Sequence, residues 1–304
     1  MRNTYLNTLY ELAKQDKNVL SLVADNGMIV YDDFKRDMPD QFFNFGISEG
    51  HMISAAAGLA SCGKIPFIYT ISAFLAYRSY EFLRLDVCLQ NLNVKIVGIG
   101  TGTSYGYLGP THHTTEDIAL LRSLPNLTVF SPSTIEETKE IIKASYFING
   151  PVYIRLGNNS LSYPMINKDF CIGKGNILSA GNDIAIFTTG SILEEVLKVE
   201  SKLKVLNINA KIISIHTLKP FDCDLVEHIA NSTKKIFSIE EHNCIGGLGS
   251  AIAEVIADRN LNTEFYRIGL KDIFAQGYGT QQEVRMQNNL DANGGYKQMI
   301  DILL

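Results

Sequence analysis

Two α/β domains, each a mostly parallel sheet flanked by helices, are predicted by three features of this sequence. Short, continuously apolar runs alternate with helix-like segments. The alternation stops across Gly157–Gly181 and then resumes. At 304 residues the chain can also bury two cores of ordinary size. An apolar run with no polar face suits a strand covered by helices on both sides, which favours parallel sheets.

The elements follow in order. Leu6, Leu9 and Leu12 have helical spacing, and the N-terminus lacks the apolar core of a signal peptide. Strands are expected at Val19–Asp25, Lys64–Thr70, Asn93–Gly100, Leu127–Ser131 and Val152–Leu156. Helices are expected over 49–62, 73–90, 115–123 and 133–147. Gly157–Gly181 is rich in Asn, Ser and Gly and contains Pro164, which reads as a linker with a short hairpin. Further strands are expected at Ile184–Thr188, Lys211–Ile215, Lys235–Glu240 and Glu264–Ile268, with helices over 191–203, 222–231 and 247–259. The expected division is a first domain over 1–157, a linker over 158–176 and a smaller second domain over 177–304.

Composition excludes several classes. Net charge is −5, so no basic surface points to nucleic acid or an anionic membrane. No stretch approaches the roughly 18 apolar residues of a membrane span. The five cysteines are scattered and form no CxxC pair, which fits reduced thiols in the cytoplasm better than disulfides or a zinc site.

Three segments carry candidate chemistry. In Asn44–Leu59, Glu49 stands where a short apolar segment passes into a helix rich in Ala and Gly. A first-turn Glu is favoured by the helix dipole by roughly 0.3–1 kcal/mol, so helix capping is its plain reading. In Thr70–Tyr80, Ile71, Phe74 and Tyr77 recur every three residues. They form either a core stripe or a face for a flat heteroaromatic ring. In Gly109–Asp117, His112 and His113 are adjacent, with no partner at metal-ligand spacing, so no metal site is expected. An imidazole there suits proton transfer to a hydroxyl.

The Glu49 and Gly109-Pro-Thr-His112 segments, in this order, resemble the pyrimidine-binding half of the transketolase family of thiamine diphosphate enzymes. The resemblance implies a thiamine diphosphate-binding fold of the pyrimidine type over 1–157 and a transketolase C-terminal-like domain over 177–304. It implies that Glu49 activates the cofactor from a mostly apolar pocket by sharing a proton with its aminopyrimidine. Phe74 and Tyr77 match the family's aromatic cluster, with Ile71 where an aromatic is common. His112 matches a substrate-contacting histidine, and His113 reads as structural. His51 matches a histidine of the deoxyxylulose-phosphate synthase branch and either faces the substrate or supports its loop. Asp25, in Ala24-Asp25-Asn26-Gly27, matches an acidic position near the pocket or simply forms a turn. Arg155 and Asn158 are expected on the substrate side. Asn158 stands where relatives often carry a phosphate-binding Arg, so the expectation is either a shift away from pentose phosphates, toward an unphosphorylated or nucleotide-linked sugar, or a charge supplied instead by the partner or by another arginine such as Arg78.

No Gly-Asp-Gly signature of the family's diphosphate-binding domain occurs in the chain. The resemblance therefore implies the C-terminal subunit of a split transketolase. A separate N-terminal subunit would ligate the Mg2+, in a heterotetramer of two plus two chains. The alternatives are the β subunit of a 2-oxoacid dehydrogenase, a deoxyxylulose-phosphate-synthase-like enzyme and a non-catalytic binding subunit. The Gly-rich run Glu241–Ser250 looks like a phosphate loop, but no ligand is assigned to it.

Overall fold

The computed structural model describes residues 1–158, 161–163 and 170–304. The first unit runs α1 (Arg2–Gln15), β1 (Val19–Val23), α2 (Asp32–Asp37), β2 (Phe42–Asn44), α3 (Glu49–Ser61) and β3 (Ile65–Ile71). A helical segment follows, with π-helical turns at Phe74–Arg78 and Leu83–Cys88 around the short α4 (Tyr80–Phe82). Then come β4 (Lys95–Ile99), α5 (Asp117–Arg122), β5 (Thr128–Phe130), α6 (Ile135–Phe147) and β6 (Val152–Leu156).

The second unit runs β7 (Asn176–Ile177), β8 (Ile184–Thr188), α7 (Leu193–Val205), β9 (Ala210–Ser214), β10 (Thr217–Lys219) and α8 (Cys223–Ser232). It ends with β11 (Lys235–Asn243), α9 (Leu248–Asp258), β12 (Glu264–Leu270), α10 (Gln281–Gln287) and α11 (Ala292–Leu303). The strand order is β10-β5-β6-β4-β3-β1-β2 in a seven-stranded sheet and β12-β11-β8-β9-β7 in a five-stranded one. All pairings are parallel except β10 with β5 and β7 with β9.

Strand side chains alternate between faces. Leu20 and Leu22 of β1 join one core, while Val19 and Val23 join another under α1 and α6. Burial on both faces explains why β1 reads as an apolar run interrupted only by the buried Ser21. Thr134 and Asp222 cap α6 and α8 by accepting from the N–H groups of Glu137 and Leu225. Thr280 and Glu283 form a reciprocal capping box on α10.

Three features differ from the sequence reading. β2 is three residues long and partly exposed, too short to stand out as an apolar run. β10, which follows the second unit's β9, instead pairs antiparallel with β5 of the first sheet. The helices α10 and α11 had no counterpart in the expected elements. Pro164, placed in the expected hairpin, lies outside the described residues.

Candidate active site

In open parallel sheets, ligands bind beyond the C-terminal ends of the strands, at the point where the strand order reverses. Here β1 lies between β2 and β3. Asp25 follows β1, Glu49 follows β2, Ile71 and Phe74 end or follow β3, and His112 lies beyond β4. The fold thus gathers residues far apart in the chain onto one edge.

Glu49 is the first residue of α3 and is 2 % exposed. Its carboxylate accepts a hydrogen bond from the Arg78 guanidinium. Arg78, 57 % exposed at its side chain, lies over the Phe74 ring at 5.3 Å. The Phe74 ring meets His112 edge-on, with centroids 5.0 Å apart. His112 is half-buried, its Nδ1 lies 2.9 Å from Thr111 Oγ1, and Tyr105 stands 6.1 Å away. Glu49, Phe74 and His112 therefore form one chain of contacts through Arg78.

The other expected residues sit differently. Ile71 is half-buried at the end of β3. Tyr77 donates its hydroxyl to Glu116 Oε2 at 2.7 Å and accepts from Glu116 N at 3.0 Å. Its ring lines a pocket of about 510 Å3 together with His113, Glu116, Ile245 and Phe274. Asp25 is exposed in a left-handed turn (φ 49°), exchanging hydrogen bonds of 3.0 and 3.2 Å with Asn44. His51 is exposed and lies edge-on to Phe45 at 5.5 Å. Asn158 is exposed just past β6. His113 is buried, and burial pushes its imidazole below the ordinary value.

Arg155, expected to contact substrate, needs correction. It is 2 % exposed, with Nε donating to both Asp117 oxygens at 3.1 and 2.9 Å. Its Nη2 donates to the carbonyls of Thr114 and Glu241. A guanidinium held this way is structural, because freeing it would leave the buried Asp117 uncompensated. Local spacing carries no sign of this, since Asp117 stands 38 residues earlier.

The Gly-rich run has a definite role. The Glu240 carboxylate accepts from Leu248 N at 2.7 Å and Gly249 N at 2.8 Å, at the start of α9. The place where a phosphate would sit is filled by the chain's own anion. Sequence reading also missed Glu241, which is 2 % exposed and bound to Thr103, Ser191, Gln281 and Arg285. Those partners are scattered through the chain, so no motif marks it.

The buried Glu49 carboxylate and the Phe74 ring joined to it through Arg78 suit an aminopyrimidine, which presents one hydrogen-bonding edge and two flat faces. The cation now on Glu49 is mostly exposed and so able to move aside. Among the described residues no group of three or more His, Cys, Asp or Glu side chains is gathered as a metal site.

The family model for the transketolase pyrimidine-binding domain matches residues 1–163, and that for the transketolase C-terminal domain matches residues 173–292. The chain belongs to the transketolase family. A chain of Methanocaldococcus jannaschii described as a transketolase C-terminal section is 37 % identical, over 99 % of this chain and 95 % of its own. One of the subunits of an apulose-4-phosphate transketolase from Phocaeicola vulgatus is 30 % identical over 99 % and 97 %. A solved split gene transketolase, described as an inactive β4 tetramer, superposes with a TM-score of 0.87 at 33 % identity, covering 99 % and 96 %. The chain therefore corresponds to the C-terminal subunit of a split transketolase, whose reaction class is two-carbon ketol transfer.

Proposed function

We propose that this chain supplies the pyrimidine-binding half of a thiamine diphosphate site and half of the substrate channel. With that site complete, it moves a two-carbon ketol unit from a ketose donor to an aldehyde acceptor. The observation that carries the reading is a carboxylate, Glu49, buried at a helix start within one contact chain of Phe74 and His112. Thiamine diphosphate, when bound, supplies the nucleophilic thiazolium carbon. Glu49 holds a proton against the pyrimidine nitrogen. Phe74 and Ile71 offer it apolar faces, and Tyr77 and Asp25 support the rim. His112 takes or gives a proton at a sugar oxygen, with His51 on the same side.

The Mg2+–diphosphate half belongs to a separate N-terminal subunit in this reading, and closed symmetry favours two copies of each chain. A relative described as an inactive β4 tetramer supports a chain that is idle without its partner. We assign the complex to the cytoplasm on its five free cysteines. With Arg155 buried, Asn158 offers hydrogen bonds but no charge, so grip on a sugar phosphate at that point is weak. In the assembled enzyme, kcat/KM for ribose 5-phosphate should therefore stay within about tenfold of that for unphosphorylated aldoses. A much stronger preference for the phosphate, retained in Asn158→Ala, rules this out.

The central test is Glu49→Gln in the assembled complex. The amide keeps the shape but cannot exchange the proton. Hydrogen–deuterium exchange at the thiazolium carbon should slow by about 10²-fold or more. An unchanged rate overturns the assignment.

A further inference from the structure

The loop between β4 and α5, residues 100–116, carries His112 and is held from the second unit. At its start, Thr103 donates its backbone N–H to Glu241 Oε1 at 3.0 Å and its hydroxyl to the same oxygen. Gly102 and Thr114 close its base through paired hydrogen bonds of 3.0 and 2.8 Å. At its end, Asn243 N donates to Thr115 O at 2.7 Å, and Arg155 Nη2 bridges the carbonyls of Thr114 and Glu241 at 3.1 and 3.2 Å. Gly102 has φ +65°, and a Cβ there would stand 2.7 Å from the Glu241 carboxyl carbon. A Cβ on Gly106 would stand 2.5 Å from Gly279 O, and one on Gly109 would enter the Tyr278 ring. The loop lies flush on β11 and on the 278–280 turn.

Glu241 is itself fixed. Arg285 of α10, 5 % exposed, donates to its Oε2 at 2.6 Å, joined by Ser191 at 3.2 Å and Gln281 at 3.0 Å. Burial alone would push this carboxyl up, but Arg285 and the other donors outweigh it and hold it at about 2. It stays an anion at any working pH. A buried ion pair is weak evidence for stability, because desolvation offsets much of its attraction. Its stronger consequence is directional: a satisfied buried network admits one arrangement of the groups it joins.

We propose that Glu241 and Arg285 are positioning residues for His112. The second unit's buried pair holds the base of the loop at the geometry the sugar requires. This rests on the reading of His112 as a substrate-side residue.

The test compares Glu241→Gln and Arg285→Lys with Ile186→Val, a change in a second-unit core cluster that includes no residue of the loop and none of Glu49, Phe74 or His112. Amide hydrogen exchange needs no cofactor. In Glu241→Gln the peptides covering 100–116 should exchange at least tenfold faster, with those covering 49–61 unchanged and Ile186→Val close to wild type. In the assembled enzyme, kcat/KM should fall tenfold or more with a raised donor KM, while exchange at the thiazolium carbon stays within twofold. Arg285→Lys keeps the charge and should show a smaller loss; it also serves if Glu241→Gln fails to fold. Unchanged loop protection, a kinetic loss no larger than in Ile186→Val, or a parallel loss of thiazolium exchange each overturns the proposal. Failure of Glu49→Gln to slow thiazolium exchange would refute the functional reading instead, and loop protection would still judge the clasp.

Discussion

Glu49 and Glu241 are both 2 % exposed, yet they are prepared for different work. Glu241 is surrounded by donors from several elements and has nothing left to offer a ligand. Glu49 is held by Arg78, a cation that is mostly in water. A pair with one exposed member is worth about 1 kcal/mol or less after solvent screening. Arg78 thus competes with the cofactor for the carboxylate only weakly. Arg78→Met should tighten thiamine diphosphate binding to the assembled enzyme by up to about fivefold, since 1.4 kcal/mol is a factor of ten. Calorimetry at low and high salt checks this, and the gain should shrink as salt rises.

His216 supplies a second prediction at this scale. It is 1 % exposed, its ring tilted against Phe170 with centroids 4.7 Å apart, and bonded to Thr217 Oγ1 at 2.8 Å. Burial lowers its imidazole to about 4. Below about 6.5 the unfolded chain takes up a proton that the folded chain refuses. Stability is therefore full above about pH 6.5 and falls as pH drops toward 4, by up to about 3 kcal/mol. Melting curves of His216→Gln should show a shallower loss between pH 7 and pH 5 than wild type.

Between elements, the site depends on how closely α3, the 74–88 segment and β4 approach. The π-helical turns there shift the register after Phe74 and let Arg78 reach back to Glu49. Gly50 permits that approach: a Cβ would stand 2.8 Å from the Phe82 ring. Phe82 is 41 % exposed and able to swing away. Gly98 of β4 is different. A Cβ there would meet Ser72 Oγ at 2.5 Å and Tyr153 Oη at 3.1 Å. Both belong to a buried network in which Tyr153 also donates to Asp117 at 2.8 Å. Gly50→Ala should thus cost about 1 kcal/mol or less, and Gly98→Ala about 1–3 kcal/mol. Denaturant unfolding of the two variants side by side checks the order.

Across the whole molecule, the two units are not independent. One core cluster runs from Leu22, Met52 and Ile96 of the first sheet's surroundings to Phe187, Ile213 and Leu248 of the second. β10 adds the second unit's chain to the edge of the first sheet at β5. A fragment ending at residue 157 would leave β5 as an open edge and strip one wall of the shared core. Such a fragment should lack sharp near-ultraviolet dichroism and should aggregate, whereas the intact chain should melt in one cooperative transition seen alike by calorimetry and dichroism.

The sequence by itself determined much of this protein. Runs such as Val19–Val23 and Ile184–Thr188 are buried at every position and apolar at all but one each, Ser21 and Thr188, because both their faces are covered, so strand, helix order and fold class are written locally. The family resemblance singled out Glu49, Phe74 and His112, and the fold joins them in one chain of contacts through Arg78. What the tertiary structure alone decided is which charges are engaged. Arg155 looked like a substrate cation until Asp117, far off in the chain, closed on it. Tyr77 turned to Glu116, and Glu240 filled the glycine loop that resembled an anion site. The pairing of Glu241 with Arg285 and the crossing of β10 into the first sheet left no local mark. Hydrophobic periodicity is a property of neighbours in the chain, whereas an ion pair or a strand edge depends on groups that meet only after the chain has folded.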